Sequence, residues 1–290
     1  MLNRQKTVLA LLRQSGGRAS QLQLTKWCFL LSQESPLRGS PSYYEFVPYL
    51  YGPYSFCLKH EMSSLARDGF VRENNDYWEL TQVGFTWPLK ISPSQKEDVK
   101  YISTLYQALT TSELLKSVYS RYEWFTVNAK DETRRASIRP VSPSRIYTAG
   151  YEQLQIDGFL NLLLQSGIQR VIDVRSNPIA RRYGFHKSTL QKLCANLNIE
   201  YVHTPEVGIP SNWRSNLNTL ADYEELFARY EADILPKQRE TIGRISQWQI
   251  EKASVLICQE ANPVYCHRTR LAHSVSLVSN LPVEHLGWPR

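Results

Sequence analysis

The stretch Arg170-Val171-Ile172-Asp173-Val174-Arg175 decides the fold of this chain. Its apolar residues are mostly contiguous, which is typical of a strand buried on both faces of a sheet. Ser254-Val255-Leu256-Ile257-Cys258 has the same character, and weaker strand candidates lie at 146–148, 200–203 and 283–285. Helical patterns separate these strands, so the connections are crossovers. We expect an α/β fold with a three-layer parallel-sheet domain over residues 145–290.

The rest of the chain predicts a second domain. The length of 290 residues suits two domains, and a stretch with two prolines at 138–144 predicts a linker. Residues 1–137 show helical periodicity, followed by two strand-like runs around Asn74-Asn75-Asp76. That order predicts a mostly helical, winged-helix-like domain, a kind of domain often used to bind DNA.

Composition and charge limit the classes of protein to which this chain can belong. No apolar run reaches the ~18 residues of a membrane span, and no signal-peptide core follows Met1, so we expect a cytoplasmic protein without membrane contact. The five cysteines are scattered, which predicts free thiols. Residues 1–140 hold 18 Lys and Arg against 13 Asp and Glu, a net +5, whereas residues 141–290 have +2. The excess favours a nucleic-acid partner for the first half, and simple solubility explains it equally well.

The first half also resembles a known family. Leu24-Thr25-Lys26-Trp27, Tyr51-Gly52-Pro53-Tyr54-Ser55 and Leu65-Ala66-Arg67-Asp68-Gly69 are similar to motifs of the Panacea (SocA-like) antitoxin-associated domain. The resemblance covers roughly residues 5–85. It implies a module for toxin neutralisation or regulation, acting through a protein partner.

Ligands of open parallel sheets bind beyond the carboxyl ends of the strands. In this chain the predicted strand ends carry Asp173, Arg175 and Ser176, then His203 and Glu206, then Glu260. We interpret Asp173 and Glu260 as catalytic carboxylates, with the other four as substrate-binding groups. A buried ion pair between Asp173 and Arg175 that serves stability alone is the alternative.

The segment that follows the predicted strand ending near Asp173 adds basic and aromatic groups. We predict that they form a lip that stacks a base and holds phosphate, and a solvated loop is the alternative. The residues are Arg181, Arg182, Tyr183 and Phe185.

The last cluster is Cys266-His267-Arg268, expected in the first turn of a helix that starts near Tyr265. Backbone N–H groups there favour an anion and lower a thiol pKa, so we assign Cys266 and His267 as catalytic and Arg268 as substrate-binding. Adjacent helical side chains diverge, and the spacing from Cys258 fits no standard zinc pattern. We therefore assign no metal and no cofactor.

These motifs, in this order, resemble domain-of-unknown-function family 488 over about residues 145–280. The most specific elements are Asp173-Val174-Arg175-Ser176 and Cys266-His267-Arg268. Thr148-Ala149-Gly150-Tyr151 departs from that family's pattern, which has a histidine in this segment. The resemblance implies a site at the strand ends and leaves its reaction open.

Three hypotheses follow for function. The first is a DNA-directed hydrolase acting on damaged or modified nucleic acid, in DNA repair or phage defence. Glycosidic cleavage is slightly favoured in it, because phosphodiester cleavage more often needs metal-binding carboxylates. The second is a non-enzymatic, antitoxin-like DNA-binding regulator that senses a nucleotide. The third is phosphatase-like catalysis by Cys266.

Overall fold

The computed structural model describes residues 1–36, 40, 43–215 and 217–288. Its contacts divide the chain into two compact units, Met1–Ile138 and Arg139–Arg290. Among the described residues, no helix combines the length and the apolar character that a membrane crossing requires.

The first unit is mainly helical. Its helices are α1 (Asn3–Gln14), α2 (Gln21–Glu34), α3 (Phe56–Arg67), α4 (Gln82–Thr86), α5 (Pro93–Tyr106) and α6 (Thr111–Arg121). Its strands are short: β1 (Arg18–Ser20), β2 (Val47–Tyr49), β3 (Gly52–Tyr54), β4 (Val71–Asn74) and β5 (Tyr77–Leu80). Strands β1, β5 and β4 form an antiparallel sheet in that order, and β2 pairs with β3.

Local sequence explains where several of these elements begin and end. The hydroxyl of Ser20 accepts from the Gln23 amide while the Gln23 side chain accepts from the Ser20 amide, a capping box that starts α2. Between β4 and β5, Asn75 adopts a positive φ of 52°, which a tight hairpin turn requires. The hairpin predicted around this residue is therefore present in the structure.

The second unit alternates strands and helices. The strands are β6 (Ile146–Gly150), β7 (Arg170–Asp173), β8 (Glu200–His203), β9 (Ser254–Cys258) and β10 (Val283–Leu286). The helices are α7 (Ile156–Gln165), α8 (Lys187–Asn196), α9 (Leu220–Asp233), α10 (Arg239–Glu251) and α11 (His267–Ser279). The strand order is β10-β6-β9-β7-β8, and every pair is parallel. The predicted parallel α/β sheet is confirmed.

The central strands of this sheet are covered on both faces. Every residue of β7 and β9 is buried. Ile172, Val174 and Leu256 belong to one cluster with apolar residues of α9, α10 and α11. Because side chains alternate along a strand, Asp173 points to the opposite face from Ile172 and Val174. This alternation places a carboxylate within an otherwise apolar layer.

The segment that follows Ile138 is attached to the second unit. Arg139 donates from Nη1 to the Leu197 carbonyl oxygen and from Nη2 to the Ile168 carbonyl oxygen, both at 2.7 Å. Ser142 donates to the Ser166 carbonyl oxygen at 2.8 Å. These bonds fix the approach to β6 beside the amino ends of the neighbouring strands.

Candidate functional site at the carboxyl edge of the sheet

The parallel pairing brings the carboxyl ends of β6, β7, β8 and β9 to one edge of the sheet. Asp173 lies opposite His203 on one side and Ile257 on the other. Gly150 lies opposite Cys258. The loops that leave these strands therefore meet, and they carry most of the residues that the sequence singled out.

Asp173 and Arg175 form a closed, buried ion pair. Asp173 Oδ1 accepts from Arg175 Nε at 2.8 Å and from the Arg175 amide at 3.1 Å. Asp173 Oδ2 accepts from Arg175 Nη2 at 2.5 Å and from the Tyr201 hydroxyl at 2.6 Å. The Asp173 side chain is 0% exposed. Both oxygens are occupied and out of contact with water, so Asp173 positions Arg175 and is not placed to act as the predicted catalytic base.

The aromatic groups near this pair are also packed. Phe185 is fully buried and stacks on Tyr151, with ring centroids 4.1 Å apart. Arg182 covers the Phe185 ring at 4.8 Å and donates to the Glu152 carbonyl oxygen. The predicted base-stacking role of Phe185 is wrong, because neither face of a buried, stacked ring is open to a ligand. Arg181 is exposed and Tyr183 is half-buried, which fits both the predicted lip and a solvated loop, so the role of these two residues stays a prediction.

The predicted residues on and after β8 separate into two places. His203 donates from Nε2 to the Arg175 carbonyl oxygen at 2.9 Å, which keeps it beside the Asp173–Arg175 pair. Glu206 accepts instead from Arg244 Nη2 at 2.8 Å and from the Thr241 hydroxyl. Glu206 therefore pairs with α10, and the structure does not bring it to the other site residues.

The loop between β9 and α11 gathers thiols, a carboxylate and an imidazole. Cys258 Sγ and Cys266 Sγ lie 3.0 and 3.1 Å from the same oxygen, Glu260 Oε2. The other oxygen, Oε1, accepts from Arg214 Nη1 at 2.6 Å. Arg214 Nη2 also lies 3.1 Å from His267 Nδ1. Glu260, Cys266 and His267 thus meet as predicted for one site.

Helix α11 begins at His267, later than the sequence suggested. Cys266 precedes it with an extended backbone, φ −130° and ψ 131°. Cys266 and His267 are therefore not neighbours within a helix, and the predicted divergence of their side chains is wrong. Sγ of Cys258, Sγ of Cys266 and a ring nitrogen of His267 all lie within 4.8 Å of one another.

Burial and mutual contact shift the pKa values of this group. Burial raises the pKa of Glu260, and the nearby Cys258 raises it further. The hydrogen bond with Cys266 holds the pKa of Cys258 well below its ordinary value. Burial, with the same hydrogen bond, raises the pKa of Cys266 well above that value. Since the thiolate is the nucleophilic form, the nucleophilic role of Cys266 depends on which thiol of this pair ionises, and it stays a prediction.

Arg268 supports the loop from inside the protein. It is 1% exposed and donates to the carbonyl oxygens of Glu260 and Ala261. Gly150 faces the same loop, and a Cβ atom added there would lie 1.8 Å from the Glu260 carbonyl oxygen. The predicted substrate contact of Arg268 is therefore wrong, because its buried guanidinium donates hydrogen bonds to the backbone of the loop that holds Glu260.

A cavity of about 160 Å³ opens between the two clusters. Side chains of the ion-pair cluster and of the thiol cluster both line it. The lining residues include Tyr151, Arg175, Ser176, Arg214, Cys258 and Glu260. Arg175, Ser176 and Glu260 were expected at such a site. Arg214 directly follows a short 3-10 turn at Ser211–Trp213. It belongs to no sequence motif, so the sequence did not mark it as a site residue.

Comparisons with known proteins cover part of this unit. No curated protein and no solved structure matches the chain. The resemblance of the first unit to the Panacea domain stays a prediction. A family model, described as Domain of unknown function DUF488, matches residues 155–275. This match supports the family that the Asp173 and Cys266 motifs predicted for the C-terminal domain.

Proposed function

We propose that the cavity at the carboxyl edge is the active site of a hydrolase that acts on damaged or modified nucleic acid. The observation that carries the proposal is the meeting of Arg175, Arg214 and Glu260 around one small cavity. Two guanidinium groups there can bind an anionic or sugar group, and a carboxylate beside them can transfer a proton.

The size of the cavity favours cleavage of a glycosidic bond. A cavity of ~150 Å³ accommodates one benzene-sized ring. The volume of about 160 Å³ is therefore sufficient for a base or a sugar ring. Enzymes that act on a base move it out of the helix into such a pocket. Tyr151 lines the cavity, but its ring stacks on Phe185 and lies under the Arg175 guanidinium, so the proposal gives it no stacking role.

Arg175 is prepared to hold a polar group of the substrate. A guanidinium has five N–H donors, and four of those of Arg175 bind Asp173, Tyr151 and the Phe185 carbonyl oxygen. Within the described residues, one N–H of Nη2 has no acceptor and is left for a ligand. Because hydrogen bonds already fix the Arg175 guanidinium, it loses little conformational entropy when a ligand binds.

The first unit would bring the enzyme to DNA or to a protein partner. The order α1, β1, α2, α3, β4, β5, with a three-stranded antiparallel sheet, supports a winged-helix assignment. In that assignment α3 is the helix that enters the groove, and the turn at Asn75 is the tip of the wing. The net positive charge of residues 1–140 favours the same role.

The proposal is tested with Glu260→Gln, which keeps the size of the side chain and removes its charge. DNA duplexes that contain modified bases are incubated with both proteins, and released bases and strand breaks are measured separately by mass spectrometry and electrophoresis. We expect the wild type to release a free base and Glu260→Gln to be at least ~100-fold slower. Glu206→Gln, whose carboxylate pairs with Arg244 away from the cavity, is the matched control.

A regulator that senses a nucleotide is the second candidate. The closed Asp173–Arg175 pair favours it, because a fixed guanidinium can bind an anion without chemistry. Calorimetry with nucleotides and a duplex-binding assay separate the two candidates. Binding that survives Glu260→Gln, with no product from any wild-type incubation, would support the regulator and refute the hydrolase.

A further inference from the structure

The two thiols and the imidazole beside the cavity have no part in the proposed hydrolysis. We propose that Cys258, Cys266 and His267 bind one Zn²⁺ ion, with its fourth coordination position facing the cavity. This inference goes beyond the proposed function and stands whether or not the cavity is catalytic.

The spacing of the donor atoms suits a tetrahedral metal. The three donor atoms lie within 4.8 Å of one another, and Cys258 Sγ is 3.8 Å from His267 Nδ1. Zinc bonds of about 2.3 Å to sulfur and 2.0–2.1 Å to nitrogen place such atoms roughly 3.6–3.8 Å apart in a tetrahedral site. The distance between Cys258 and His267 already matches this range, and the other two separations need to shorten by about 1 Å at most.

The imidazole is already oriented for coordination. His267 Nε2 lies 3.2 Å from the Val174 carbonyl oxygen, to which only a protonated nitrogen can donate. This contact leaves the lone pair on Nδ1, the nitrogen that faces the thiols. Arg214 Nη2 donates to this lone pair at 3.1 Å. A metal would replace this contact, while Arg214 keeps its bond to Glu260.

The cluster also brings two thiols and a carboxyl group into contact inside the protein. Both sulfurs approach the same oxygen of Glu260, and all three ligand residues are buried. A divalent cation would allow both thiols to ionise, because its charge offsets their desolvation. Cys258 ends the buried strand β9 and Cys266 precedes α11, so the two thiols stand on fixed backbone.

The ligand types select the metal. Two thiolates and an imidazole are a common set for zinc, whereas Mg²⁺ and Ca²⁺ prefer oxygen ligands. Cys258 Sγ, Cys266 Sγ and a ring nitrogen of His267 all lie within 4.8 Å of one another. Three protein ligands leave a fourth position, as in catalytic zinc sites. Glu260 Oε2 lies 3.0 and 3.1 Å from the two sulfurs and is therefore close to the proposed ion.

The experiment measures metal on the full chain, purified without chelators and without a metal-affinity step. We expect about one zinc per chain by elemental analysis. After the zinc is removed and Co²⁺ is added, we expect a thiolate-to-cobalt charge-transfer band and the visible bands of tetrahedral cobalt. Cys258→Ser, Cys266→Ser and His267→Gln should each lower zinc at least ~10-fold.

Cys194→Ser is the matched control, because Cys194 is another fully buried thiol of the same unit. It should keep one zinc. The cobalt spectrum of the wild type remains a test if a variant fails to fold. Wild-type protein with reduced thiols that takes up neither metal would overturn the inference, as would a Cys258–Cys266 disulfide that binds no metal after reduction. Equal zinc loss in Cys194→Ser would also overturn it. Base release is assayed separately, so a failed zinc site leaves the hydrolase proposal standing.

Discussion

Replacing Asp173 by asparagine keeps the size of the side chain but leaves Arg175 as a buried cation without its counter-ion. The two side chains are 0% and 7% exposed, and Asp173 accepts four hydrogen bonds. Removal of one partner from a buried pair costs about 3–5 kcal/mol, because the remaining charge stays desolvated. We therefore expect Asp173→Asn to lower the free energy of unfolding of the second unit by that amount.

The matched control is Glu206→Gln. Its partner Arg244 is 46% exposed and Glu206 itself is 33% exposed, so water screens the pair. We expect a loss of about 0–1 kcal/mol there. The comparison of the two variants isolates the effect of burial on a carboxylate–guanidinium pair.

Because the chain has two units, the assay must report on one of them. Native-state hydrogen exchange of the amides of β7 and β9, followed against urea concentration, gives the free energy of opening of the second unit. A loss below about 1 kcal/mol for Asp173→Asn, or a loss equal to that of Glu206→Gln, would refute the structural role of the pair.

Two other changes test features of each unit. Phe185→Ala should lower the free energy of unfolding of the second unit by about 3–5 kcal/mol, because it empties a buried site stacked on Tyr151; near-zero loss in hydrogen exchange, with weaker DNA binding, would restore the exposed-lip interpretation. In the first unit, burial lowers the pKa of Lys26 to about 7 from 10.5, and its ammonium donates to the Pro53 carbonyl oxygen. Between pH 7 and pH 9 the unfolded chain binds this proton and the folded chain does not, so the free energy of unfolding should rise with pH, by at most ~1.4 kcal/mol per unit. Urea titrations at several pH values should show that Lys26→Met lacks this rise, and an identical slope in the variant would contradict the assignment.

The parallel sheet could be predicted because its strands are contiguous apolar runs, a pattern that depends on the local sequence alone. The same holds for the convergence of Asp173, His203 and Glu260, since parallel strands share one carboxyl edge. The contacts within that edge could not be predicted. Both oxygens of Asp173 are filled by Arg175 and by Tyr201, and the position of Tyr201 depends on strand order.

Arg214 and Cys266 illustrate a second limit. Arg214 reaches Glu260 across 46 positions of sequence from an irregular loop, and no periodic pattern marks such a contact. The extended backbone of Cys266 turns its thiol toward Cys258, and an error of two residues in the start of α11 was enough to hide that approach. The starts of helices are the least certain part of a sequence-based assignment.

The strand order has a consequence for how this site comes into being. Ile146, at the start of β6, pairs with Ser254, more than one hundred positions later, and β6 has β10 on its other side. The first strand of the sheet, β6, can therefore pair only after β9 and β10 have been synthesised. Pairings between such distant residues slow folding. During synthesis β7 and β8 can meet early, whereas Gly150 and Cys258 become neighbours only when β9 has emerged. The cavity is accordingly among the last features to form, and a nascent chain would expose its thiols until then.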